Sequence, residues 1–145
     1  MNPGPTITQL TPRNTAVLQR HVSAETAFEM EATLATLTED CLFEDVPSGQ
    51  AYRGREAVRG YYDAWWNAFG NVPAHSRRYV PDGDCLIVET RFVGRHKGPW
   101  QGIAPTGNAI DLPVAIFVSF RDGLMAGERF YYDRGTLLAQ IGAAG

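Results

Sequence analysis

Gly127-Glu128-Arg129-Phe130-Tyr131-Tyr132-Asp133-Arg134-Gly135 sets the reading of this chain, because it places two carboxylates and three aromatic rings where a last strand gives way to a short helix. Side chains alternate faces along a strand, so Glu128, Phe130 and Tyr132 share one face while Arg129 and Tyr131 share the other. Asp133 falls where a helix over 133–141 can begin, a favourable place for an Asp cap. The apolar residues Leu137, Leu138 and Ile141 can hold that helix in place. A carboxylate among aromatic rings loses solvation, which moves its pKa toward the range useful for proton transfer. A plainer alternative stands beside this one: Glu128 pairs with an arginine and Asp133 only caps the helix.

Upstream of that stretch the hydrophobic period is two. Strands are predicted over 74–80, 85–97, 108–121 and 124–132, separated by Asp82-Gly83-Asp84, the loop 98–107 and Asp122-Gly123. Leu86, Val88, Thr90, Phe92, Gly94 and His96 form one face of the second of these. Ile110, Leu112, Val114, Ile116, Val118 and Phe120 make an apolar face of the third, and Pro113 on its other side predicts an edge or a bulge. Earlier still the period is helical. Residues 14–37 read as one helix or two, interrupted around His21–Ala24, where Ser23 can cap a second. A short strand, Cys41–Val46, ends at Pro47-Ser48-Gly49. Gly54–Phe69 is the clearest helix, with Val58, Tyr61, Tyr62, Trp65 and Phe69 in one broad stripe; Arg55, Glu56, Arg59 and Asp63 face water, and Gly70-Asn71 closes it.

Helices followed by long antiparallel strands predict an α+β fold: a cone-shaped, curved antiparallel sheet with N-terminal helices over its concave face, enclosing a pocket. The chain has 145 residues, and the division predicted is a flexible arm over 1–12 and a single domain over 13–145. Composition is that of a soluble globular protein, 44% hydrophobic and 20% charged, with no apolar run long enough to span a bilayer. A net charge of −3 without a basic run argues against nucleic acid or an anionic membrane as partner. Cys41 and Cys85 read as reduced core thiols of a cytoplasmic protein. His21, His75 and His96 are scattered without metal-ligand spacing, so no metal is expected, and His21 and His75 read as structural.

Several motifs in order resemble one family. They are Phe43-x-Asp45-x-Pro47-x-Gly49, Tyr52-Arg53-Gly54-Arg55-Glu56-Ala57, His96 followed by Gly102-x-x-Pro105-Thr106-Gly107, and Glu128 to Asp133 with Leu137-Leu138-Ala139-Gln140-Ile141-Gly142. From about residue 14 to 142 the chain resembles the SnoaL-like polyketide cyclases of the nuclear transport factor 2-like superfamily. The resemblance implies a cofactor-free pocket that applies general acid–base chemistry to a small hydrophobic metabolite. It matches Asp133 to an acid/base aspartate near the end of the last strand and His96 to a pocket histidine. It also implies a homodimer, with the outer sheet face that carries Glu89, Arg91 and Arg95 as the surface.

On this reading Asp133, His96 and Glu128 move protons, with Glu128 able to orient His96. Substrate contacts are expected from Phe43, Asp45, Tyr62 and Trp66, and from Phe92, Trp100 and Tyr132 nearer the pocket mouth and last strand. The aromatic stripe on 54–69 either stacks on a planar substrate or simply fills the core. Epoxide opening is a second reading within the superfamily, but the Asp-Arg-Asp network of its limonene-type hydrolases finds no close match around Arg91, which reads as an outward residue paired with Glu89. A binding domain without turnover is the third.

Overall fold

The computed structural model describes residues 9–70 and 75–143, the side chains of 75–77 excepted. The predicted arm therefore lies outside the described residues over 1–8, as do Asn71 and the side chain of His75. The elements run α1 (Pro12–Thr26), α2 (Met30–Ala35), β1 (Leu37–Asp45), β2 (Gln50–Arg53), α3 (Arg55–Phe69), β3 (His75–Asp82), β4 (Cys85–Arg95), β5 (Ala109–Arg121), β6 (Leu124–Tyr131) and α4 (Arg134–Gln140).

Helix α1 starts where the Thr11 hydroxyl accepts the Asn14 N–H and Pro12 supplies the first turn. It continues through His21–Ala24 without the interruption that the sequence predicts, since one serine inside a helix carries only a small propensity penalty. The break comes instead at residues 27–29, where Phe28 adopts a left-handed φ of 56°. Helix α3 follows Gly54, and its stripe buries Val58, Tyr62, Ala68 and Phe69. Arg55 is not left to water: its guanidinium donates to the Leu37 carbonyl at the start of β1.

The strands form one unclosed sheet in the order β2-β1-β6-β5-β4-β3. Every neighbouring pair is antiparallel except β1 and β6, which run parallel, so the sheet is mixed. Strand β2 has no counterpart among the predicted elements. It is made when Pro47-Ser48-Gly49 turns the chain back onto β1, pairing Phe43 with Tyr52 and Asp45 with Gln50. The inward faces of β4 and β5 are those expected, with Leu86, Val88 and Thr90 buried on one and Ile110, Leu112, Val114, Val118 and Phe120 on the other. Pro113 sits where β5 has run past the end of β6. There the Gln140 side chain bonds the Asp111 N–H and C=O, so that edge is partly covered from α4. Backbone groups two residues apart point the same way along a strand, so the N–H that Pro113 lacks would have faced this edge and no ladder bond is lost.

Residues that separate the two ends of the chain meet at Gly127. The pairing of β5 with β6 shifts register between Ser119 and Phe120, and Gly127 then lies against Leu42 of β1. A Cβ added to Gly127 would come 2.1 Å from the Leu42 carbonyl oxygen, which is backbone and cannot swing away. Gly127→Ala is therefore expected to destabilise the fold by about 3 kcal/mol or more, the upper end for overpacking. Urea denaturation checks this, and a midpoint equal to that of the parent protein would contradict it.

Candidate active site

Between α1, α3 and the inward faces of β4, β5 and β6 lies a cavity of about 70 Å³. Its walls are largely aromatic and aliphatic, with Tyr61, Tyr62, Trp65 and Trp66 from α3 facing Val88, Phe92, Ile116, Val118 and Phe130 from the sheet. Leu18, Val22 and Tyr79 border both this cavity and a wider, shallower depression of about 640 Å³ beside α1. Among the described residues, the wider depression is lined by no acid or base other than a phenol, whereas the smaller cavity gathers His21, Glu25 and Glu128.

The polar end of the cavity is built from α1 and β6. His21 and Glu25 stand one turn apart on α1, and Glu128 projects from the inward face of β6. His21 is 2% exposed and Glu128 is 8% exposed. The His21 Nε2 lies 3.0 Å from Glu25 Oε2, 3.1 Å from the Tyr62 hydroxyl and 3.4 Å from Glu128 Oε1. Tyr62 donates its own proton to Glu25 at 3.0 Å.

The other ring nitrogen settles the tautomer. The Thr36 hydroxyl donates to the Thr33 carbonyl at 2.6 Å, so at 2.7 Å from His21 Nδ1 it can only accept. Nδ1 therefore carries a hydrogen, and any second proton resides on Nε2 between the carboxylates. Burial, the largest single influence, opposes the charged ring. Hydrogen bonds to Glu128 and then Glu25, together with their charges, outweigh it and push His21 up from 6.5 to about 10. At neutral pH the site is an imidazolium clamped by two carboxylates. Burial first, and then Glu25 and Glu128, hold the Tyr62 phenol well above its usual range, so it stays a donor. The ligand atoms of His21, Glu25 and Glu128 lie within 4.8 Å of one another and could hold a metal ion; a proton on Nε2 meets the same electrostatic need.

Of the residues expected to react, Glu128 is in the cavity, but its partner is His21 and not an arginine. Asp133 is on the surface. It caps α4, accepting from the Gly135 and Thr136 N–H groups and from the Thr136 hydroxyl, and those bonds hold its carboxyl below its usual range. The cap was foreseen; it uses the oxygens that catalysis would need. Asp133→Ala is thus expected to lower the melting temperature by a few degrees and to leave any activity of the cavity unchanged, which paired melting and rate measurements would show.

His96 is fully buried but does not border the cavity. Its Nδ1 accepts the Thr106 N–H at 3.2 Å and its ring lies 5.5 Å from that of Phe69, so it fastens the loop after β4 to a second core cluster. Trp100 belongs to that cluster too. Tyr62, Trp66 and Phe92 do line the cavity. Phe43 is fully buried behind it among Tyr61, Tyr62 and Phe130. Tyr132 donates to both oxygens of Asp45 at 2.8 and 3.0 Å, a closed pair beside the cavity and not on its wall. Arg91 points outward as expected but binds Asp111, while Glu89 takes Arg78.

The SnoaL-like polyketide cyclase family profile matches residues 15–141. The chain belongs to that family. Among solved structures, a presumed SnoaL-like polyketide cyclase from Jannaschia sp. CCS1 superposes with a TM-score of 0.83 at 20% identity, over 95% of this chain and 99% of that one. A protein with a ketosteroid isomerase-like fold from Catenulispora acidiphila, solved with trimethylamine, gives 0.73 at 22% identity, over 92% and 95%. AclR, a presumed hydroxylase from Streptomyces galilaeus, gives 0.73 at 15% identity, over 89% and 95%. At these identities the likeness is one of fold. No curated protein matches. Among the described residues of this SnoaL-like chain no helix is long and apolar enough to cross a membrane.

His21 and Glu25 are not among the residues that the sequence marks as reactive. The signal was available: a histidine and a glutamate four residues apart on one face of a predicted helix, pointing toward the sheet that carries Glu128. With no motif around it, His21 reads as structural in the sequence.

Proposed function

We propose that the chain is a cofactor-independent cyclase or isomerase that moves protons on a small, mostly apolar, carbonyl-bearing metabolite. The single observation behind this reading is the His21–Glu25–Glu128–Tyr62 cluster at the polar end of an aromatic cavity. Glu128 takes a proton from the carbon next to the substrate carbonyl. The oxygen that gains negative charge is stabilised by the His21 Nε2–H and by the Tyr62 hydroxyl, which turns to it from Glu25. Isomerisation follows when Glu128 returns the proton to another carbon. Ring closure follows when the enolate carbon attacks a second carbonyl carbon, whose oxygen then takes a proton from the same donors. Both outcomes share the first step, so the test is that step: exchange of α-protons of 2-tetralone for deuterium, read by NMR. Exchange above the buffer rate supports the reading, and its absence across a panel of cyclic ketones would sink it.

A second reading is favoured by one observation, the trimethylamine held by the Catenulispora protein of related fold. In this chain aromatic faces adjoin a cluster with two carboxylates and one imidazole, groups that suit an organic cation. Saturable binding of trimethylammonium without any exchange activity would favour this binder over the enzyme. Epoxide opening has less support, because Arg91 and Asp111 form their pair on the outer face.

A further inference from the structure

Three buried polar atoms among the described residues have no hydrogen-bond partner: Thr38 Oγ1, Thr90 Oγ1 and His96 Nε2. Only Thr90 borders the cavity. It stands on the inward face of β4 between Val88 and Phe92, and is 4% exposed. A buried hydroxyl without a partner is destabilising, and valine has nearly the same shape without it. Among the described residues, those around Thr90 on the inward sheet face are apolar: Val88 and Phe92 on its own strand and Val114 opposite on β5. Among the described residues, nothing in the packing calls for an oxygen here.

The register places this oxygen far from the acid–base cluster. Thr90 pairs with Val114 and Glu128 with Val118, so the two are two strands and two inward rows apart. That is roughly 10 Å across the sheet and roughly 13 Å along it. Val88, Ile116 and Phe130 floor the space between them, and Tyr61, Trp65 and Trp66 cover it. The charged lining residues, Glu25, His21 and Glu128, are all at the far end.

We propose that Thr90 is a second, neutral binding subsite, which hydrogen-bonds an uncharged oxygen at the distal end of an elongated apolar substrate while Glu128 and His21 hold the reacting end. This rests on the cavity being a substrate site, as proposed above, and it narrows the substrate class to a ketone carrying a remote hydroxyl or carbonyl. The Thr90 hydroxyl donates to a carbonyl oxygen or accepts from a hydroxyl, and so satisfies itself only in the complex.

The test compares 2-tetralone with its 6-hydroxy derivative by calorimetric titration of the full chain. The parent protein is expected to bind the hydroxyketone about tenfold more tightly. Thr90→Val is expected to remove that preference while leaving the affinity for 2-tetralone unchanged, and Thr90→Ser to retain it. Because the valine deletes an unsatisfied hydroxyl, the variant should melt at the same or a higher temperature. A preference that survives Thr90→Val, equal affinity of the parent for both ketones, no measurable binding of the hydroxyketone, or a lower melting temperature of the variant would each overturn the assignment. Deuterium exchange on the same ketones reads the catalytic proposal separately. A protein that discriminates the hydroxyl through Thr90 yet exchanges no protons keeps the subsite and loses the catalysis.

Discussion

Glu128→Gln is expected to cut α-proton exchange by about 10²–10⁴-fold, the usual contribution of a positioned general base. Glutamine has the same shape, and its carbonyl oxygen can still accept from the His21 Nε2–H 3.4 Å away, so the fold is retained while the proton acceptor is lost. The variant carries an internal control. The hydrogen bond to Glu128 is the foremost of the interactions that hold His21 up to about 10, so the imidazole of the variant should titrate at a visibly lower pH in NMR spectra. A lowered His21 titration with undiminished exchange would show that the pair is structural and that the base is elsewhere.

The largest loss of stability is expected from His21→Gln. This substitution removes the cation from between Glu25 and Glu128 and leaves two carboxylates facing one another, a change that costs about 3–5 kcal/mol when one partner of a buried ion pair is deleted. The pH dependence gives the same interaction a second signature. His21 binds its proton up to about 10 in the folded chain and up to about 6.5 in the unfolded one. Between those values the folded state holds one proton more than the unfolded state, so stability falls as pH rises. The contribution is fully present below about 6.5 and is lost as pH climbs to about 10, at up to ~1.4 kcal/mol per unit. His21→Gln should abolish that slope. Urea denaturation at intervals from about pH 6 to about pH 10 measures it, and a parent protein equally stable throughout would contradict the clamped imidazolium.

Much of the fold could be read from local chemistry. Asp122-Gly123 turns β5 into β6, Gly54 precedes α3, and the alternation along Leu86–Phe92 and Ile110–Phe120 gives the inward faces directly. The parity of Glu128, Phe130 and Tyr132 also holds, because the register shift falls before Glu128 and not after it. Pairings between distant segments were not legible in this way. Nothing near Phe43 announces that it lies beside Glu128 in a parallel pair, and nothing near Gln50 announces β2. The site follows the same division. Tyr62, Trp66, Phe92 and Glu128 reach the cavity because their own strands and helix aim them there. Motif position points to Asp133 and His96, whereas the Asp133 oxygens go to a helix cap and the His96 Nδ1 to a loop anchor. His21 was missed because its meaning depends on Thr36 and Glu128, neither of which is near it in sequence.

The parallel seam between β1 and β6 has a consequence for how the protein is made. Glu44 and Arg129, which face each other across that seam, are 85 residues apart in sequence. A ribosome adds roughly 5–20 residues per second, so β1 spends several seconds without its neighbour while the rest of the chain is translated. The strand that completes the sheet also delivers Glu128 to His21, so the polar cluster assembles only once the chain has been translated through β6. Nascent chains that stop short of β6 would expose the inner flank of β1 and lack Glu128, leaving the cluster incomplete. Arrested chains of graded length should therefore become protease-resistant abruptly as Leu124–Tyr131 leaves the exit tunnel, and not by degrees.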